Sequence, residues 1–388
     1  MDRVQTATKQ NLPEVIKLIN MVFISDRPES SRMEEKFPIF LSDANLDHIF
    51  IVADQEKPVS HAGYYPSKVL VQGIPIHIGS VGSVCTEAAY RGQGIASRIL
   101  DALEDQARSE GIQVLFISGE RGLYLRRKCK HVGGFKKFTL NRSQAAETLP
   151  SNVELRDYDS SCIPGMAAVY NQEPVRFYRT ALEFNLLLIA GLHPFFTSTN
   201  KAYVLSAGRR IVAYFVLGIS DEPTRQGGIV EYAGDRQLLR SAFDQVLHRE
   251  ALDHLTVQVP GFDPLTAFLE HGSINAKNIH QVGTVKIINL ASLMESLHPY
   301  FLQYTSLQTL DAIRWGEEND EKYYLRVGDE SGEIGDLSDL TQLIFGFAEN
   351  NTCLEKFSLF QASHPVVDEF VRAVFPVPLP WAGNMNFI

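Results

Sequence analysis

Length, composition and charge already exclude several classes of protein. The chain has 388 residues, enough for two or three domains of roughly 100–200 residues each. Hydrophobic residues make up 45%, charged residues 21%, and the 18 prolines form no low-complexity tract, so we expect a globular chain throughout. The formal net charge of −10 argues against a general nucleic-acid binder, which needs a basic face. It favours cationic small molecules as ligands.

Three features of the sequence predict a cytoplasmic protein with no membrane partner. The amino-terminal stretch has no apolar segment before a small-residue cleavage site, so no signal peptide is predicted. The longest apolar stretch, Phe184 to Phe196, contains Asn185 and Pro194 and is shorter than the roughly 20 residues that a bilayer requires. The cysteines show no CxxC spacing, so they predict reduced thiols rather than a zinc site or a disulfide framework. They are Cys85, Cys129, Cys162 and Cys353.

The first segment reads as a helix, three strands, a second helix and a fourth strand. The predicted strands are His48–Ala53, Ala62–Val71, Ile76–Cys85 and Val114–Ser118. The first predicted helix lies within Thr6–Val22, where Asn11 offers a cap ahead of Pro13, and the second runs from Ile95 to Gly111. The second helix carries Ile95, Ile99, Leu103 and Ala107 at helical spacing, which indicates an amphipathic helix. The order strand, turn, helix, strand predicts a parallel unit.

A polar, proline-containing stretch from Leu140 to Asn152 predicts a linker. The sequence beyond it repeats the order of predicted elements seen in the first segment, and we call this repeat the second copy. Strands Ala202–Leu205 and Ile211–Leu217 predict a hairpin around Gly208. A strand, a short turn, a helix and the strand Leu255–Val259 follow. The second copy has Asp235 in its turn, where the first copy has glycine. Because an anion would meet a carboxylate there, we expect the second copy not to bind the same ligand.

A third segment begins near Gly283. VKIINLASLMESLHPYF predicts a short strand and a helix, EKYYLRV a strand, and LSDLTQLIFGF a helix capped by an aspartate. The chain then runs FPVPLPWAGNMNFI, and its three prolines forbid a regular helix. We therefore expect this tail to lie extended across another part of the protein.

The turn in TEAAYRGQGIASRIL has the features of an anion site. Gly92 and Gly94 allow close backbone approach, and the predicted helix start at Ile95 presents unpaired N–H groups, so phosphate or pyrophosphate is the natural ligand. A Walker loop needs a lysine after the second glycine, and a Rossmann loop needs a third glycine where Ser97 stands. The remaining pattern, R/Q-x-x-G-x-G/A, is met by Arg91, Gly94 and Ala96.

In this form the stretch resembles the acetyl-CoA-binding motif of the GNAT acyltransferase superfamily, and the resemblance covers about residues 1–140. The order of the whole chain resembles the three-domain, enhanced-intracellular-survival type of acetyltransferase. The resemblance implies an α+β fold with an acetyl-CoA-binding GNAT domain (1–145), a degenerate GNAT-like domain (146–282) and a small sterol-carrier-like α/β domain (283–388). Both GNAT-like domains would be mixed-sheet α/β units. The loop lacks the subgroup's arginine-rich form, and the chain ends in NFI rather than in an aromatic residue.

The resemblance implies acetyl-CoA as co-substrate, and the spacing of the histidines predicts no metal. Backbone groups of one strand end would hold the pantetheine and the thioester; these are Val84, Cys85 and Thr86. Amides of the loop would hold the pyrophosphate; the residues are Arg91, Gly92, Gln93, Gly94, Ile95, Ala96 and Ser97. We interpret Cys85 as a small apolar strand residue rather than a nucleophile, because the sequence places no histidine that could activate its thiol. The histidines show no metal-ligand spacing.

The resemblance also implies a general acid, and it leaves two candidates for the base. Tyr124 occupies the family's tyrosine position after the fifth strand. A phenol with an ordinary pKa near 10 stays protonated at neutral pH, so it can donate to a departing thiolate, whose conjugate acid resembles a thiol with a pKa near 8.5. The base is either the terminal carboxylate of Ile388, as in the three-domain subgroup, or Glu87, as in the ordinary superfamily pattern.

Together these features predict an acetyl-CoA-dependent N-acetyltransferase. The acceptor would be the primary amine of a small, cationic molecule that attacks the thioester directly, with neither nucleic acid nor membrane as a partner. An alternative is a non-catalytic acyl-CoA-binding or lipid-binding protein that uses the sterol-carrier-like domain, because residues 286–346 contain hydrophobic helices. The sequence leaves open the acceptor's identity and whether the protein forms a homo-oligomer.

Overall fold

A computed structural model describes residues 3–25, 32–142, 148–193, 198–221, 224–271, 274, 276–318, 322–328, 330–346 and 365–388. Residues 143–147 of the predicted linker, residues 194–196 of the longest apolar stretch, and Cys353 lie outside the described residues. The other three cysteines are free and buried. None of the helices described is long and apolar enough to cross a membrane.

The first sheet is mixed and carries the predicted parallel unit. Its strands are β1 (Gln5–Thr6), β2 (Ile49–Asp54), β3 (Lys57–Val71), β4 (Ile74–Thr86) and β5 (Val114–Ile117). Two further strands join it from later in the chain, β8 (Val175–Phe177) and β14 (Thr284–Ile287). The order is β1-β2-β3-β4-β5-β14, with β8 paired to β3. Only β4 and β5 run parallel among these pairs.

Helices cover this sheet. They are α1 (Leu12–Ile24), α2 (Met33–Lys36), α3 (Ile95–Ser109) and α4 (Gly122–Arg126). The apolar stripe of α3 is buried as its periodicity predicts, with Ile95, Ile99, Leu103 and Ala107 all inside. Thr6, at the start of the predicted helical stretch, pairs with Phe50 in β1, and the helix follows the predicted cap residue Asn11. The helix begins only at Leu12, after the N-cap residue Asn11 and with a proline in its first turn, where a proline's missing N–H costs nothing.

The second sheet repeats the pattern of the first. Its strands are β6 (Phe135–Asn141), β7 (Val153–Asp157), β9 (Ser198–Ala207), β10 (Arg210–Ser220), β11 (Gln226–Gly234), β12 (His254–Pro260) and β13 (Ala276–Ile279). The order is β13-β6-β12-β11-β10-β9-β7, and β11 and β12 are its parallel pair. Its helices are α5 (Ile163–Tyr170), α6 (Ala181–Leu192), α7 (Arg236–Arg249) and α8 (Leu265–His271). The tandem arrangement of two GNAT-like mixed sheets is thus confirmed.

The third part contains a three-stranded antiparallel sheet and helices. The strands are β15 (Ile313–Glu318), β16 (Lys322–Val327) and β17 (Glu330–Gly335), and the helices are α9 (Leu290–Phe301), α10 (Leu307–Ala312), α11 (Leu337–Phe345) and α12 (Pro365–Val374). Asp336 caps α11 as predicted, accepting hydrogen bonds from the amides of Ser338 and Asp339. From Phe375 to Ile388 the chain forms neither helix nor strand, as its prolines predict.

The domain boundaries at 145/146 and 282/283 remain predictions, and strands near both pair across them. Strand β6 lies before the first boundary but belongs to the second sheet, and β14 lies after the second boundary but pairs with β5 of the first. One hydrophobic core is shared in the same way, since Phe116 of β5, Phe301 of α9 and Phe370 of α12 belong to a single buried cluster. The likeness of the third part to a sterol carrier is likewise a prediction.

Candidate active site

The parallel strands β4 and β5 separate in the middle of the first sheet. Their register runs from Ile78 with Val114 to Val81 with Ile117, whereas β4 continues to Thr86. A gap therefore opens beside β4 from Gly82 onward. Because strand separation exposes backbone groups that a ladder would otherwise use, this gap can accept an extended ligand along β4.

A bulge lies at the start of the gap. The pairing of β3 with β4 shifts register between His61 and Gly63, and Ser83 opposite has a left-handed φ of 53°. The hydroxyl of Ser83 is buried and has no hydrogen-bond partner among the described residues. Bulges of this kind re-aim the backbone beside active sites. The small residues of GSVGS are the one sequence signal of this bulge, and neither Gly82 nor Ser83 was predicted as a site residue.

The predicted pantetheine residues occupy the end of β4. Val84 and Thr86 are partly exposed, whereas Cys85 is buried. Ser60 donates a hydrogen bond to the carbonyl of Cys85 at 3.0 Å. Burial raises the pKa of the Cys85 thiol to about 12, so the thiol remains protonated and apolar at neutral pH. This agrees with the interpretation of Cys85 as a strand residue rather than a nucleophile.

The glycine loop has the backbone geometry of an anion site. Gly92 and Gly94 have left-handed φ values of 79° and 73°, and a Cβ built at either would meet no atom within 4 Å. Gly94 is the N-cap of α3, and the amide of Arg98 donates to its carbonyl at 3.2 Å. The amides of the first helical turn, Ile95–Ser97, precede that bond and have no partner within the helix. They are therefore free to meet a phosphate.

Two further features fix this loop beside the end of β4. The Nε of Arg91 donates to the carbonyl of Thr86 at 3.1 Å. Arg91, Gly92, Gln93 and Gly94 are exposed, Ala96 and Ser97 are partly exposed, and Ile95 anchors the helix in the core. The predicted pantetheine and pyrophosphate residues thus lie on one continuous path from the gap to the start of α3.

Tyr124 lies on the short helix α4 and is buried. Its ring packs over Gly119, where an added Cβ would overlap the ring, so a larger residue at 119 would displace the phenol. Burial raises the pKa of Tyr124 to about 12, with Arg121 opposing the shift and Cys129 and Cys85 adding to it. Tyr124 belongs to the same buried cluster as Val81 and Ile117, the last residues paired before β4 and β5 separate. A proton donor is therefore available next to the gap.

The last residue lies in the gap itself. A Cβ built at Gly82 would lie 2.8 Å from the carboxyl carbon of Ile388, so only glycine leaves room for the terminal group at this point of β4. The side chain of Ile388 packs on the cluster that contains Phe40 and Cys85. The other predicted base, Glu87, follows the end of β4 and pairs with Lys57 at 3.0 Å.

Side chains from distant parts of the chain hold the tail in this position. Asn386 accepts a hydrogen bond from the Nε of Arg179 at 2.8 Å. Arg179 is also paired with Glu231, and the two side chains are only 1% and 4% exposed. Gln281 donates to the carbonyl of Pro380 at 2.7 Å and accepts from the amide of Ala382 at 2.9 Å. None of these side chains was predicted, because no local pattern marks contacts between residues so far apart.

The second sheet has a corresponding gap with a different occupant. Strand β11 pairs with β12 only as far as Ile229 with Val257. Asp235 is the N-cap of α7 and accepts a hydrogen bond from the amide of Leu238 at 3.0 Å. Arg236 is bound by Glu173 and Asp263. The predicted carboxylate therefore occupies this helix start, and the adjoining cavity of about 1040 Å³ is lined by Tyr232, Gly234 and the tail prolines among others.

The first sheet and this site have the fold and geometry of an acyltransferase domain of the GNAT type. Residues 3–129 match the family described as acetyltransferase (GNAT) domain. The chain therefore contains a GNAT acetyltransferase domain and is an acetyltransferase enzyme, with an acyl-CoA as co-substrate and an amine or another small molecule as acceptor. The matched residues include β4, the glycine loop and Tyr124.

Solved structures share the fold over nearly the whole chain. Eis1 from Mycobacterium abscessus has 14% sequence identity and a TM-score of 0.64, with 99% of this chain and 100% of that chain covered. A GCN5-related N-acetyltransferase from Anabaena variabilis has 12% identity and a TM-score of 0.67, covering 97% and 100%. A probable N-acyltransferase from Enterococcus faecalis has 13% identity and a TM-score of 0.67, covering 97% and 98%. No curated protein matches the sequence.

Proposed function

We propose that the protein is an acetyl-CoA-dependent N-acetyltransferase that transfers the acetyl group to a primary amine of a small, cationic acceptor by direct attack. One observation carries this proposal. The terminal residue Ile388 lies at Gly82, where β4 and β5 separate, and the glycine loop lies at the other end of the same stretch of β4. A carboxylate, a thioester and an acceptor amine can therefore meet in one gap.

The coenzyme would lie along β4 with its thioester at the gap. Backbone groups of Val84 to Thr86 would hold the pantetheine, and amides of Arg91 to Ser97 would hold the pyrophosphate. The left-handed glycines at 92 and 94 face open space, which supports a close approach of the phosphates to the main chain. The positive end of the α3 dipole adds to the attraction.

In the proposed reaction the neutral amine attacks the thioester carbonyl, the C–S bond breaks, and the coenzyme leaves as a thiolate. Tyr124 donates its proton to this thiolate. A protonated phenol is available throughout the neutral range, since the pKa of Tyr124 is about 12. The proton that the amine loses passes to the base, which releases it to water, and Tyr124 regains one proton from water, so that both groups return to their starting state.

For the base we favour the carboxylate of Ile388 over Glu87. Glu87 follows the end of β4, and its carboxylate accepts a hydrogen bond from Lys57 at 3.0 Å. The carboxyl carbon of Ile388, in contrast, faces Gly82 at the gap. The ion pair with Lys57 occupies one oxygen of the Glu87 carboxylate, which is then less available to an acceptor amine. Glu87 therefore suits a structural position at the entrance better than a catalytic one.

A cationic acceptor suits the charge around this gap. The chain carries 46 acidic and 36 basic residues, and one acidic residue is hydrogen-bonded to a side chain of the cluster on which Ile388 packs. Tyr65 packs on the same cluster as Ile388 and donates a hydrogen bond to Glu183 at 2.8 Å. Burial opposes ionisation of Glu183, but hydrogen bonds from Thr180 and Tyr65 hold its pKa below the ordinary value. Glu183 thus keeps a negative charge at the edge of this cluster, which would favour a cationic acceptor.

The core of the third part is closely packed, which argues against a lipid site among its helices, although Tyr300 and Phe345 also line the cavity of about 1040 Å³ described above. Phe301 lies 5.4 Å from Phe370 and 6.0 Å from Phe375, and Phe370 lies 5.8 Å from Phe375, between ring centroids. The hydrophobic helices there form a packed core that continues into the first sheet. Interleaved rings at these distances fill the space that a lipid would need.

The proposal is tested by incubating the full chain with acetyl-CoA and a panel of mono-, di- and polyamines. Release of free thiol and a mass increase of one acetyl group on the amine are measured together. We expect both signals with cationic polyamines and neither without an amine. If no member of the panel is acetylated although coenzyme A binds, the acceptor is not an amine, and the proposed function is wrong.

A further inference from the structure

Three side chains with metal-binding atoms converge at the junction between the first sheet and the second. Glu120 follows β5, His131 precedes β6, and His280 lies between β13 and β14. One ligand atom from each lies within 4.8 Å of the other two. The imidazole rings face each other with centroids 4.1 Å apart. No motif in the sequence marks this cluster, because its members come from three distant segments.

Backbone hydrogen bonds fix the tautomers of both histidines. The Nδ1 of His131 bonds to the carbonyl of Gly283 at 3.0 Å, and the Nδ1 of His280 bonds to the carbonyl of Gln281 at 2.8 Å. A carbonyl oxygen only accepts, so each Nδ1 carries the hydrogen and each Nε2 keeps its lone pair. Metal-binding histidines are oriented in this way by backbone carbonyls.

The carboxylate of Glu120 is oriented as well. Its Oε1 accepts the amide hydrogen of Gly283 at 3.1 Å, which leaves the second oxygen available. Gly283 has a left-handed φ, and a Cβ there would overlap the carbonyl of Ile117. One glycine therefore organises two of the three ligands, by donating to Glu120 and accepting from His131.

We propose that Glu120, His131 and His280 form a binding site for a divalent transition-metal ion of the zinc type. Two imidazole nitrogens and one carboxylate oxygen suit such an ion, and three protein ligands leave a fourth position for water. Ligands at about 2.0–2.2 Å from zinc lie roughly 3.4 Å apart. From separations of at most 4.8 Å, small side-chain rotations close the three groups on the ion.

The ion would brace the region that holds the tail. Glu120 adjoins Gly119, over which the ring of Tyr124 packs. Gln281, next to His280, holds the tail at Pro380 and Ala382. A metal bound to Glu120 and His280 would therefore join the Tyr124 side of the active site to the segment that positions Ile388. This inference does not depend on the acceptor or on the proposed chemistry.

The test uses the full chain freed of metal with a chelator and then titrated with Zn²⁺ by calorimetry. We expect one Zn²⁺ per chain and no comparable heat with Mg²⁺, which prefers oxygen ligands. Glu120→Gln, His131→Asn and His280→Asn should each weaken the binding at least tenfold, since even an outer partner of a metal ligand is worth about 10–100-fold. His248→Asn is the matched control, because His248 is an exposed histidine elsewhere in the chain.

Coenzyme A binding by each variant shows that it is folded, and Glu120→Gln keeps an acceptor for the amide of Gly283. Substitution with Co²⁺ provides a second readout, since nitrogen and oxygen ligands in a tetrahedral site give a visible absorption band. The proposal is overturned if the wild-type chain takes up no Zn²⁺. It is also overturned if folded cluster variants bind Zn²⁺ as tightly as the wild type, or if His248→Asn loses binding to the same degree.

Discussion

The phenol of Tyr124 is protected from ionisation by the core in which it lies. We expect Tyr124→Phe to reduce kcat by about 10²–10³-fold, within the range for loss of a general acid, and to leave coenzyme A affinity unchanged. Because the pKa of Tyr124 is about 12, this group stays protonated up to pH 10. The pH–rate profile of the wild type should therefore show no alkaline decline from Tyr124 between pH 7 and pH 10.

The control for this change is Tyr178→Phe, because the side chain of Tyr178 is half exposed and lies outside the proposed site. It should retain the wild-type kcat. Equal losses of kcat in the two variants, or a wild-type rate in Tyr124→Phe, would remove Tyr124 as the acid.

The two candidate bases are separated by changing one carboxylate at a time. Amidation of Ile388 can be made by ligating a synthetic tail. It removes the charge of the terminal carboxylate but keeps the size and shape of the group. We expect it to lower kcat at least 100-fold with coenzyme A affinity retained. Glu87→Gln should lower kcat less than fivefold, since Glu87 already pairs with Lys57. The opposite ranking, measured by steady-state kinetics and calorimetry, would make Glu87 the base.

For individual residues of the site, the sequence was informative only where they belong to a motif of neighbouring residues. Gly94 and Tyr124 could be recognised from their neighbours in the chain. The bulge at Ser83 depends on a register shift against β3, and Arg179, Gln281 and Asn386 meet their partners only in the folded protein. No periodicity or spacing records such contacts.

At the scale of secondary-structure elements, the role of the loop before α3 in binding coenzyme A can be tested by substituting its glycine and a glycine of similar φ in another turn. Gly94→Ala places a side chain at a φ of 73°, which costs about 1–2 kcal/mol of folding free energy and obstructs the approach of a phosphate. We expect coenzyme A affinity to fall at least tenfold, measured by calorimetry.

Gly208→Ala is the matched control, because Gly208 has a φ of 60° in the hairpin between β9 and β10. It should cost a similar free energy of unfolding and leave coenzyme A affinity unchanged. If both variants bind coenzyme A equally well, the glycine loop is not the pyrophosphate site.

The order and type of these elements followed from hydrophobic periodicity, but their partners did not. The parallel units around α3 and α7 were predicted because each repeats strand, turn, helix and strand. The strand at Thr284–Ile287 was predicted too, yet its pairing with β5 was not. An apolar strand carries no mark of which sheet edge it completes, and the helical pattern after Thr6 did not reveal the short strand β1.

For the whole molecule, the position of the tail connects the three parts of the chain. Asn386→Ala removes the acceptor for Arg179 and leaves a buried guanidinium donor without that partner, at a cost of about 1–3 kcal/mol. We expect a lower Tm and a several-fold lower kcat, with coenzyme A affinity unchanged. The control is Asn278→Ala, at an exposed position on β13, which should change neither Tm nor kcat. An unchanged kcat in Asn386→Ala would show that the tail is positioned without Arg179.

Pairing of β14 with β5 has a consequence for biosynthesis. Val114–Ile117 receive their outer neighbour, Thr284–Ile287, only after the entire second sheet has left the ribosome. Until then β5 is an open edge that can pair with other chains. Such late, distant closure slows folding and prolongs exposure to aggregation. We therefore expect the nascent chain to depend on chaperone protection during translation, even though the finished sheet leaves β5 no free edge.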